Sequence, residues 1–371
     1  MPKIAIASNT AWSLVNFRLN LARALQVAGH EVIAIAPPGK ESKQLESAGI
    51  KFIALPMDNK GANPIADLWL FLRLRRVLRK ERPAVYLGYT VKPNVYGGMA
   101  CQQLGIPSIH NIAGLGTVFI RNSWLTKLVR GLYRCGLRKA ARVFFQNPDD
   151  LKLFTQHKTV SLKQAKLLPG SGVDTSWFVP KKNLGKKSPP QFKFLLSARV
   201  LWDKGIGEYA QAARCLLGEG RKVECQLLGF LDVQNRSAIP LEVISNWEQE
   251  GIIRYLGCAD DVRAILAQAD CVVLPSYYRE GVPRSLLEAA SMGKPLITTD
   301  AVGCREAVAD GATGFICKPK SAVDLADKMR RMMDLPHDTR ATMGRRGREK
   351  MKAEFEEKIV IEAYLQEVNL L

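Results

Sequence analysis

The sequence predicts an α/β protein built from two doubly wound, Rossmann-like parallel sheets. Three observations carry this prediction: the length of 371 residues, the alternation of short apolar runs with amphipathic helical patterns, and a polar break near the middle of the chain. A chain of this length is too long for one ordinary hydrophobic core and comfortable as two. Strands that alternate with helices form parallel sheets covered by helices on both faces.

The first half of the chain shows the alternation clearly. Runs such as KIAIA, HEVIAIAP, AVYLGY and PSIHNI predict buried strands, and helical periodicity crosses residues 68–80. The stretch KKNLGKKSPP at 181–190 is polar, basic and ends in two prolines, which is typical of a linker. We therefore expect a first domain at 1–180 and a second at 191–371, and we leave open a return of the C-terminal helix to the first domain.

The same alternation restarts after the predicted linker. FKFLLSA, VECQLLG, IIRYLG, CVVLPS and KPLITTD predict the strands of a second sheet, and one helix is expected from about Ile206 to Glu219. Two such sheets facing each other across a cleft bind ligands at the carboxyl ends of their strands. Functional residues are therefore expected in the loops that follow the apolar runs.

The net charge of +19 is concentrated in the first domain. Residues 1–180 contain 25 Lys and Arg against 9 Asp and Glu, whereas residues 181–371 contain 29 against 26. An excess of this size predicts an acidic partner, either nucleic acid or an anionic membrane surface. No nucleic-acid-binding motif accompanies the charge, so the sequence favours the membrane and predicts no nucleic-acid partner.

The cysteines and the hydropathy pattern bear on location. Eight scattered cysteines form no CxxC pair and no metal-ligand spacing with histidine, which predicts reduced thiols and no structural metal. The N-terminus lacks the pattern of an export signal, and no run of about 18 apolar residues occurs. We expect a cytoplasmic protein whose contact with a membrane is peripheral.

Two cations follow the first strand of the second domain. Arg199 and Lys204 lie in ARVLWDKGIGEY, on a turn that opens a helix. Such a turn suits a diphosphate, because helix amides and side-chain cations converge there. Taken alone, the pattern could equally be a solvated loop with two surface charges.

Two carboxylates flank the start of the helix that follows CVVLPS. Glu280 precedes Pro283, a residue type suited to a first helical turn, and Glu288 lies beyond it. Helical rise places these carboxylates roughly 10 Å or more apart, whereas carboxylates acting on one glycosidic bond lie roughly 5 to 9.5 Å apart. We expect them to hold two ends of one extended ligand, unless Glu288 merely faces solvent.

Four sequence features together resemble family four of the retaining glycosyltransferases, whose two-domain architecture is called GT-B: the Glu-x7-Glu element, the Arg199 and Lys204 pair, LPGSGVD (168–174) and VGCREAVADGATGFI (302–316). The resemblance covers nearly the whole chain, and four motifs in the right order are a specific signal. It implies that Arg199 and Lys204 hold the donor diphosphate, Glu288 the ribose and Glu280 the sugar ring, without a catalytic metal or cofactor. The same element would supply the remaining donor contacts: Gly281, Val282, Pro283 and Ser285.

The first domain resembles the family less closely at its first βα loop. The family often has a glycine pair there, but residues 8–18 contain no glycine, which favours side-chain contacts from Ser13, Asn16 or Arg18. YTVKPNVYGG (89–98) and HNIAGLGTVF (110–119) resemble enzymes that extend a polyprenyl-diphosphate-linked sugar, particularly N-acetylgalactosaminyltransferases acting on polyprenyl-diphospho-diacetylbacillosamine. The resemblance places further acceptor contacts on loops facing the cleft: Lys92, Asn94, His110, Asn111, Gly114 and Gly116. His110 could equally be a core-edge histidine bonded to a carbonyl.

Two helical patterns mix arginine with apolar residues. Residues 69–80 and 125–142 resemble helices that lie on an anionic membrane surface. Much of each apolar stripe is expected to pack into the core, in particular Leu72, Val77 and Leu132. The cations expected to face the membrane are Arg73, Arg76, Lys80, Arg130, Arg134 and Arg138.

The resemblance implies a retaining transferase that moves an N-acetylhexosamine from a UDP-sugar to a polyprenyl-diphosphate-linked sugar at the inner face of the cell membrane. In such a reaction the departing diphosphate can itself assist the incoming hydroxyl, so no enzymic base is required. The main demand is to stabilise negative charge on that diphosphate, which explains why cations dominate the motifs. Two alternatives are open: a glucan or soluble-acceptor transferase of the same fold and, more distantly, a basic nucleic-acid-binding protein.

Overall fold

The structure is a computed structural model that describes residues 1–58, 63–115, 124–180, 191–231, 235 and 237–371. The chain forms two compact units. The first comprises Met1–Ser171 with Lys358–Leu371, and the second comprises Gly172–Glu357. The predicted linker at 181–190 lies outside the described residues.

The first unit contains a seven-stranded parallel sheet with the order β3-β2-β1-β4-β5-β6-β7. The strand order reverses between β1 and β4, which is the topological switch point of a doubly wound sheet. The strands are β1 (Lys3–Ala7), β2 (Glu31–Ala36), β3 (Lys51–Ala54), β4 (Val85–Tyr89), β5 (Ser108–Ile112), β6 (Arg142–Phe145) and β7 (Ala165–Leu167).

Helices cover both faces of this sheet. They are α1 (Ala11–Val27), α2 (Ser42–Ser47), α3 (Pro64–Glu81), α4 (Gly98–Leu104), α5 (Trp124–Leu137), α6 (Pro148–Gln156) and the C-terminal α13 (Glu357–Asn369). One apolar core joins α1, α2 and α13 to strand residues such as Leu87 and Phe144. The opposite face packs Tyr86 against α3 and α4, and Phe145 against α5 and α6.

The second unit repeats this architecture with six parallel strands in the order β10-β9-β8-β11-β12-β13. Its strands are β8 (Phe192–Ser197), β9 (Val223–Leu228), β10 (Arg254–Tyr255), β11 (Cys271–Leu274), β12 (Leu296–Thr299) and β13 (Gly314–Cys317). Its helices are α7 (Ile206–Gly218), α8 (Leu241–Gln249), α9 (Arg263–Gln268), α10 (Arg284–Ser291), α11 (Ala322–Asp334) and α12 (His337–Glu354). The prediction of two Rossmann-like sheets is confirmed.

Two predicted helices of the first unit differ from the observed ones at their ends. The helix predicted at 68–80 begins at Pro64, because the Asn63 side chain accepts hydrogen bonds from the next turn and proline suits the first helical position. The helix predicted at 125–142 ends at Leu137. The residues from Arg142 onward form β6, a strand that the continued helical periodicity concealed.

Candidate functional site in the second unit

The candidate site lies at the carboxyl edge of the second sheet. Since β8, β11 and β12 are adjacent parallel strands, the loops that follow them start at the same edge. Arg199 and Lys204 follow β8, and Glu280 follows β11. The predicted cations and the first predicted carboxylate are therefore brought together by the strand order.

Backbone contacts lock the loop after β8 to the loop after β11. The carbonyl oxygen of Asp203 accepts hydrogen bonds from the amides of Tyr277 at 3.1 Å and Tyr278 at 3.0 Å. Gly205 has a φ of 74°, and a Cβ atom there would come within 2.1 Å of the Pro275 carbonyl oxygen. Only glycine allows this approach, so the sequence DKG fixes the position of Lys204.

Lys204 and Glu280 form an ion pair at this junction. Lys204 is only 7% exposed, and its ammonium donates to the Glu280 carboxylate. The hydroxyl of Ser276 donates to the same carboxylate at 3.2 Å. Because an ammonium has three donor hydrogens, Lys204 can hold an anionic oxygen of a ligand in addition to Glu280.

Tyr278 joins the two predicted cations, a role that the sequence analysis missed. The Lys204 ammonium lies 5.2 Å from the centre of the Tyr278 ring, a cation–π distance. Burial raises the pKa of the Tyr278 hydroxyl, and the nearby Arg199 guanidinium partly opposes this shift. The position of Tyr278 directly after a buried strand, two residues before Glu280, was the available signal.

The helix that carries the second carboxylate starts as predicted. Pro283 occupies the N-cap position of α10, and the Glu288 Oε1 atom accepts from Arg284 Nε at 2.9 Å. Burial raises the pKa of the Glu288 carboxyl, and Arg284 partly opposes the shift. Glu288 is therefore a partly buried, paired carboxylate, and the alternative that it merely faces solvent is wrong.

The start of α10 is fitted closely to the neighbouring loop. A Cβ atom on Gly303, whose φ is 85°, would lie 1.6 Å from the Gly281 carbonyl oxygen. Val282 and Pro283 are buried, while Ser285 is partly exposed. Within the ranges that the structure describes, no group of three or more His, Cys, Asp or Glu side chains is placed to hold a metal ion.

Residues of the first unit

The expectation that Asn94, His110 and Asn111 lie on loops is wrong. His110 and Asn111 belong to β5, and Asn94 lies in a π-helical turn at Pro93–Gly97. All three side chains are buried, because the turn packs directly against the strand. The Asn94 Nδ2 atom donates to the Asn111 carbonyl oxygen at 2.9 Å, which joins the turn to the strand.

His110 is a core histidine. Its Nδ1 atom lies 3.1 Å from Asn94 Oδ1 and its Nε2 atom 3.0 Å from the Ser108 hydroxyl. Burial lowers the pKa of His110 to about 3, so the ring is neutral at physiological pH. The geometry supports the alternative of a structural histidine, since both ring nitrogens are engaged and the side chain has no exposed surface.

His110 makes the first unit sensitive to acid. In the unfolded chain its pKa is 6.5, against about 3 in the fold, so between these values the unfolded state binds more protons and stability falls as the pH falls. We expect the free energy of unfolding to drop by about 2 kcal/mol between pH 7 and pH 5 from this group. Chemical denaturation at both pH values should show a smaller drop in His110→Asn; equal drops would contradict the assignment.

Asn111 connects β5 to the C-terminal helix. Its Nδ2 atom donates to the Tyr364 hydroxyl at 3.1 Å, and its Oδ1 atom accepts from Gln146 at 3.0 Å. Tyr364 lies on α13 and packs in the same core as β4 and β6. Asn111 therefore holds the carboxyl edge of the first sheet to α13.

Ser13, Asn16 and Arg18, which were predicted on the first βα loop, lie on α1. That helix begins at Ala11, because the Thr10 side chain accepts a hydrogen bond from the Ser13 amide and caps its first turn. Asn16 is exposed and donates to the Trp12 carbonyl oxygen at 3.0 Å. Arg18 is only 6% exposed, and its guanidinium stacks 4.1 Å from the centre of the Tyr89 ring. The placement of Arg18 on a loop is wrong, since it is a buried residue of the helix.

Lys92 and Gly114 remain acceptor candidates of the first unit. The Lys92 ammonium pairs with the Asp67 carboxylate at 2.8 Å and lines a groove of about 640 Å³ beside the start of α3. Gly114 follows β5 with a φ of 97°, a conformation that favours glycine. Gly116 lies outside the described residues.

The cations predicted to face a membrane are accessible. Arg130 is partly exposed, and the others are exposed: Arg73, Arg76, Lys80, Arg134 and Arg138. The expectation that Leu72 packs in the core is wrong, because its position on α3 faces outward and leaves it exposed. Val77 and Leu132 are partly buried against the core, as expected.

Comparison with known proteins

Two family models match the chain. The model described as glycosyl transferases group 1 matches residues 180–350, and the model described as a glycosyl transferase 4-like domain matches residues 15–169. The matched ranges fall in the second and the first unit, respectively.

Similar proteins extend over nearly the full length. The N,N'-diacetylbacillosaminyl-diphospho-undecaprenol alpha-1,3-N-acetylgalactosaminyltransferase of Campylobacter jejuni is 29% identical over 348 residues, covering 90% of this chain and 89% of that protein. Sucrose-phosphate synthase from Thermosynechococcus elongatus superposes with a TM-score of 0.80 at 19% identity, over 99% of this chain and 98% of that one. HepE of Anabaena in complex with UDP-glucose gives a TM-score of 0.80 at 16% identity, over 100% of both chains.

The two Rossmann-like sheets and these structural matches define a glycosyltransferase fold of the GT-B type. The family models show which family each unit matches. Residues 180–350 form a group 1 glycosyltransferase domain and residues 15–169 a glycosyl transferase 4-like domain, and the resemblance predicted from the motifs is confirmed.

Proposed function

We propose that the chain transfers an N-acetylhexosamine, with retention of configuration, from a UDP-sugar to a polyprenyl-diphosphate-linked sugar during glycan assembly. The observation that carries the proposal is the ion pair of the buried Lys204 with the partly buried Glu280, with Arg199 and Tyr278 beside it, at the carboxyl edge of the second sheet. Two cations and a carboxylate at one strand edge suit a ligand that combines a diphosphate with a sugar.

The residues divide the donor between them. Arg199 and Lys204 would hold the diphosphate and stabilise the charge that develops on it as the sugar leaves. Glu280 would accept hydrogen bonds from hydroxyls of the transferred sugar, and Glu288 from those of the ribose. The departing diphosphate would assist the incoming hydroxyl on the same face, so no separate enzymic base is required.

Named relatives support the choice of donor and acceptor. HepE of Anabaena, which shares the fold, was crystallised with UDP-glucose. The Campylobacter relative acts, by its name, on a diphospho-undecaprenol-linked sugar. In the first unit, the predicted acceptor residues with accessible surface are Ser13, Asn16, Lys92 and Gly114.

We place the activity at the inner face of the cell membrane. The charge of residues 1–180, with 25 Lys and Arg against 9 Asp and Glu, suits an anionic surface and an acceptor diphosphate. None of the helices that the structure describes is long and apolar enough to cross a bilayer. Contact through a basic protein surface is the mode that the charge supports.

A panel of nucleotide sugars tests this proposal. We expect UDP-N-acetylhexosamines, and not GDP-sugars, to release their nucleotide when a polyprenyl-diphosphate-linked sugar is present. NMR of the product should show the anomeric configuration of the donor. An inverted product would reject the retaining mechanism, and transfer to short water-soluble glycans alone would favour the soluble-acceptor alternative.

Activity is expected to persist in a chelator. Lys204 and Arg199 can neutralise the departing diphosphate in the way that a metal ion does in other transferases. Turnover should therefore be largely unchanged in excess EDTA. Complete loss in EDTA that magnesium or manganese restores would overturn this expectation.

A further inference from the structure

Two helices of the first unit, α3 and α5, expose large apolar side chains near their N-terminal ends and several basic side chains behind them, although Lys127 is also exposed near the start of α5. On α3, the exposed apolar side chains are Ile65, Leu68, Trp69 and Leu72, and on α5 they are Trp124 and Leu128; their exposed fractions range from 41% to 75%. The following turns of α3 expose Arg73, Arg76, Arg79 and Lys80, and the end of α5 and the turn after it expose Arg134, Arg138 and Lys139.

On α3 the two sets share one stripe. Leu68, Leu72, Arg76 and Lys80 follow one another at intervals of four residues, so they lie on the same side of the helix. On the exposed surface of α3, polarity therefore changes along the helix axis, whereas the opposite side buries Leu70, Leu74 and Leu78 in the core. A helix that lies flat in a membrane interface has its apolar and charged residues on opposite faces, so this pattern favours entry by the N-terminal end.

The topology brings both apolar ends to one edge of the sheet. Helices that connect parallel strands run antiparallel to them, so the starts of α3 and α5 lie at the carboxyl edge, where the acceptor candidates Lys92 and Gly114 also lie. Both helices cover the same face, which carries Tyr86 and Phe145, and α4 packs against each of them.

We propose that the N-terminal ends of α3 and α5 insert into the acyl region of an anionic membrane, while the basic turns behind them contact the lipid headgroups. The proposal rests on the proposed function, because a polyprenyl-linked acceptor is held in a membrane. The segment from Ile65 to Leu72 is about 10 Å long at 1.5 Å per residue, which matches the depth of interfacial insertion. Each helix has a tryptophan near its N-terminal end, Trp69 on α3 and Trp124 on α5, and tryptophan is enriched at the boundary between lipid headgroups and acyl chains.

Sedimentation with vesicles of phosphatidylglycerol and phosphatidylcholine tests the proposal. The apolar variant carries Leu68→Gln, Trp69→Gln and Trp124→Gln, which leaves the net charge unchanged. Its matched control carries Leu241→Gln and Val323→Gln, two apolar residues of the second unit that are 61% and 79% exposed. A basic variant carries Arg73→Gln, Arg76→Gln, Lys80→Gln, Arg134→Gln and Arg138→Gln.

We expect the wild type and the control to keep a bound fraction at about 1 M salt, where charges are screened beyond about 3 Å. The apolar variant should lose affinity by roughly tenfold or more under these conditions, because burial of a single large apolar side chain is worth about that factor. The basic variant should bind weakly at low salt but keep the salt-resistant component. Acyl chains brominated near the headgroup should quench tryptophan emission, and the double variant Trp69→Phe and Trp124→Phe should lose that quenching while it still binds.

Equal binding of the apolar variant and the wild type at both salt concentrations would overturn the proposal, as would complete release of the wild type by salt. Hydrolysis of the UDP-sugar, which depends on the second unit, separates this failure from failure of the proposed function. A protein that hydrolyses UDP-sugar and transfers to detergent-dispersed acceptor, but does not insert, loses only the present proposal. A protein that inserts but accepts no polyprenyl-linked sugar loses only the proposed function.

Discussion

Replacement of Lys204 by alanine is expected to lower turnover by roughly 10²- to 10³-fold, the loss typical when one group that stabilises developing charge is removed. Lys204 is buried beside Glu280, so its charge acts in surroundings that screen it little. Removal of Lys204 also takes a positive charge away from the Glu280 carboxylate, which raises the cost of placing a diphosphate nearby. The turnover of Arg199→Ala should also be lower than that of the wild type, but by a smaller factor, because Arg199 is exposed.

Steady-state kinetics with thermal unfolding as a check on the fold measure this effect. Lys222→Ala is the matched control, since Lys222 is an exposed lysine that precedes β9 and so lies at the amino edge of the same sheet. The control should keep the turnover of the wild type. Near-wild-type turnover in both Lys204→Ala and Arg199→Ala would show that the diphosphate is held elsewhere.

Glu288 and Glu280 are expected to affect different steps. Glu288→Ala should weaken donor binding by about 10- to 100-fold, which is the value of a hydrogen bond to a charged group, with a smaller change in turnover. Glu280→Ala should mainly slow transfer, because its carboxylate is paired with Lys204 beside the predicted leaving diphosphate. Glu288 would thus contribute to binding of the donor in both the ground state and the transition state, whereas Glu280 would contribute mainly in the transition state.

Titration of UDP and of the intact UDP-sugar into each variant distinguishes these roles. Glu288→Ala should lose affinity for both ligands, whereas Glu280→Ala should bind UDP as the wild type does. Ala substitution at Glu242, an exposed carboxylate in the first turn of α8, provides the control. Equal, small effects of both variants on binding and turnover would remove the division between ribose and sugar.

Most of the fold was predictable because both sheets repeat the same local pattern. Buried parallel strands appear as short apolar runs, and every strand of the second sheet except β13 followed such a prediction. The failures have local causes. The strand β6 was hidden because Arg142 continued the spacing of the preceding helix, and the start of α3 was placed too late because the Asn63 cap lies outside the apolar pattern.

The locations of the site residues were more predictable in the second unit than in the first, and the reason is physical. Arg199, Lys204 and Glu280 lie in short segments directly after strands, where sequence position fixes location, and the structure brings them to one edge of the second sheet. The first-unit residues depend on distant partners: Asn111 bonds Tyr364, which lies 253 positions away. No periodicity in the sequence indicates such a contact, so the burial of Asn111 and of the residues bonded to it could not be predicted.

The mass of the acceptor after incubation with donor tests the central claim most directly. With UDP-N-acetylhexosamine and a polyprenyl-diphosphate-linked sugar, we expect the wild type to add one N-acetylhexosamine, and Lys204→Ala to add almost none in the same time. An acceptor of unchanged mass with every UDP-sugar tested, or equal product from the wild type and Lys204→Ala, would contradict the account.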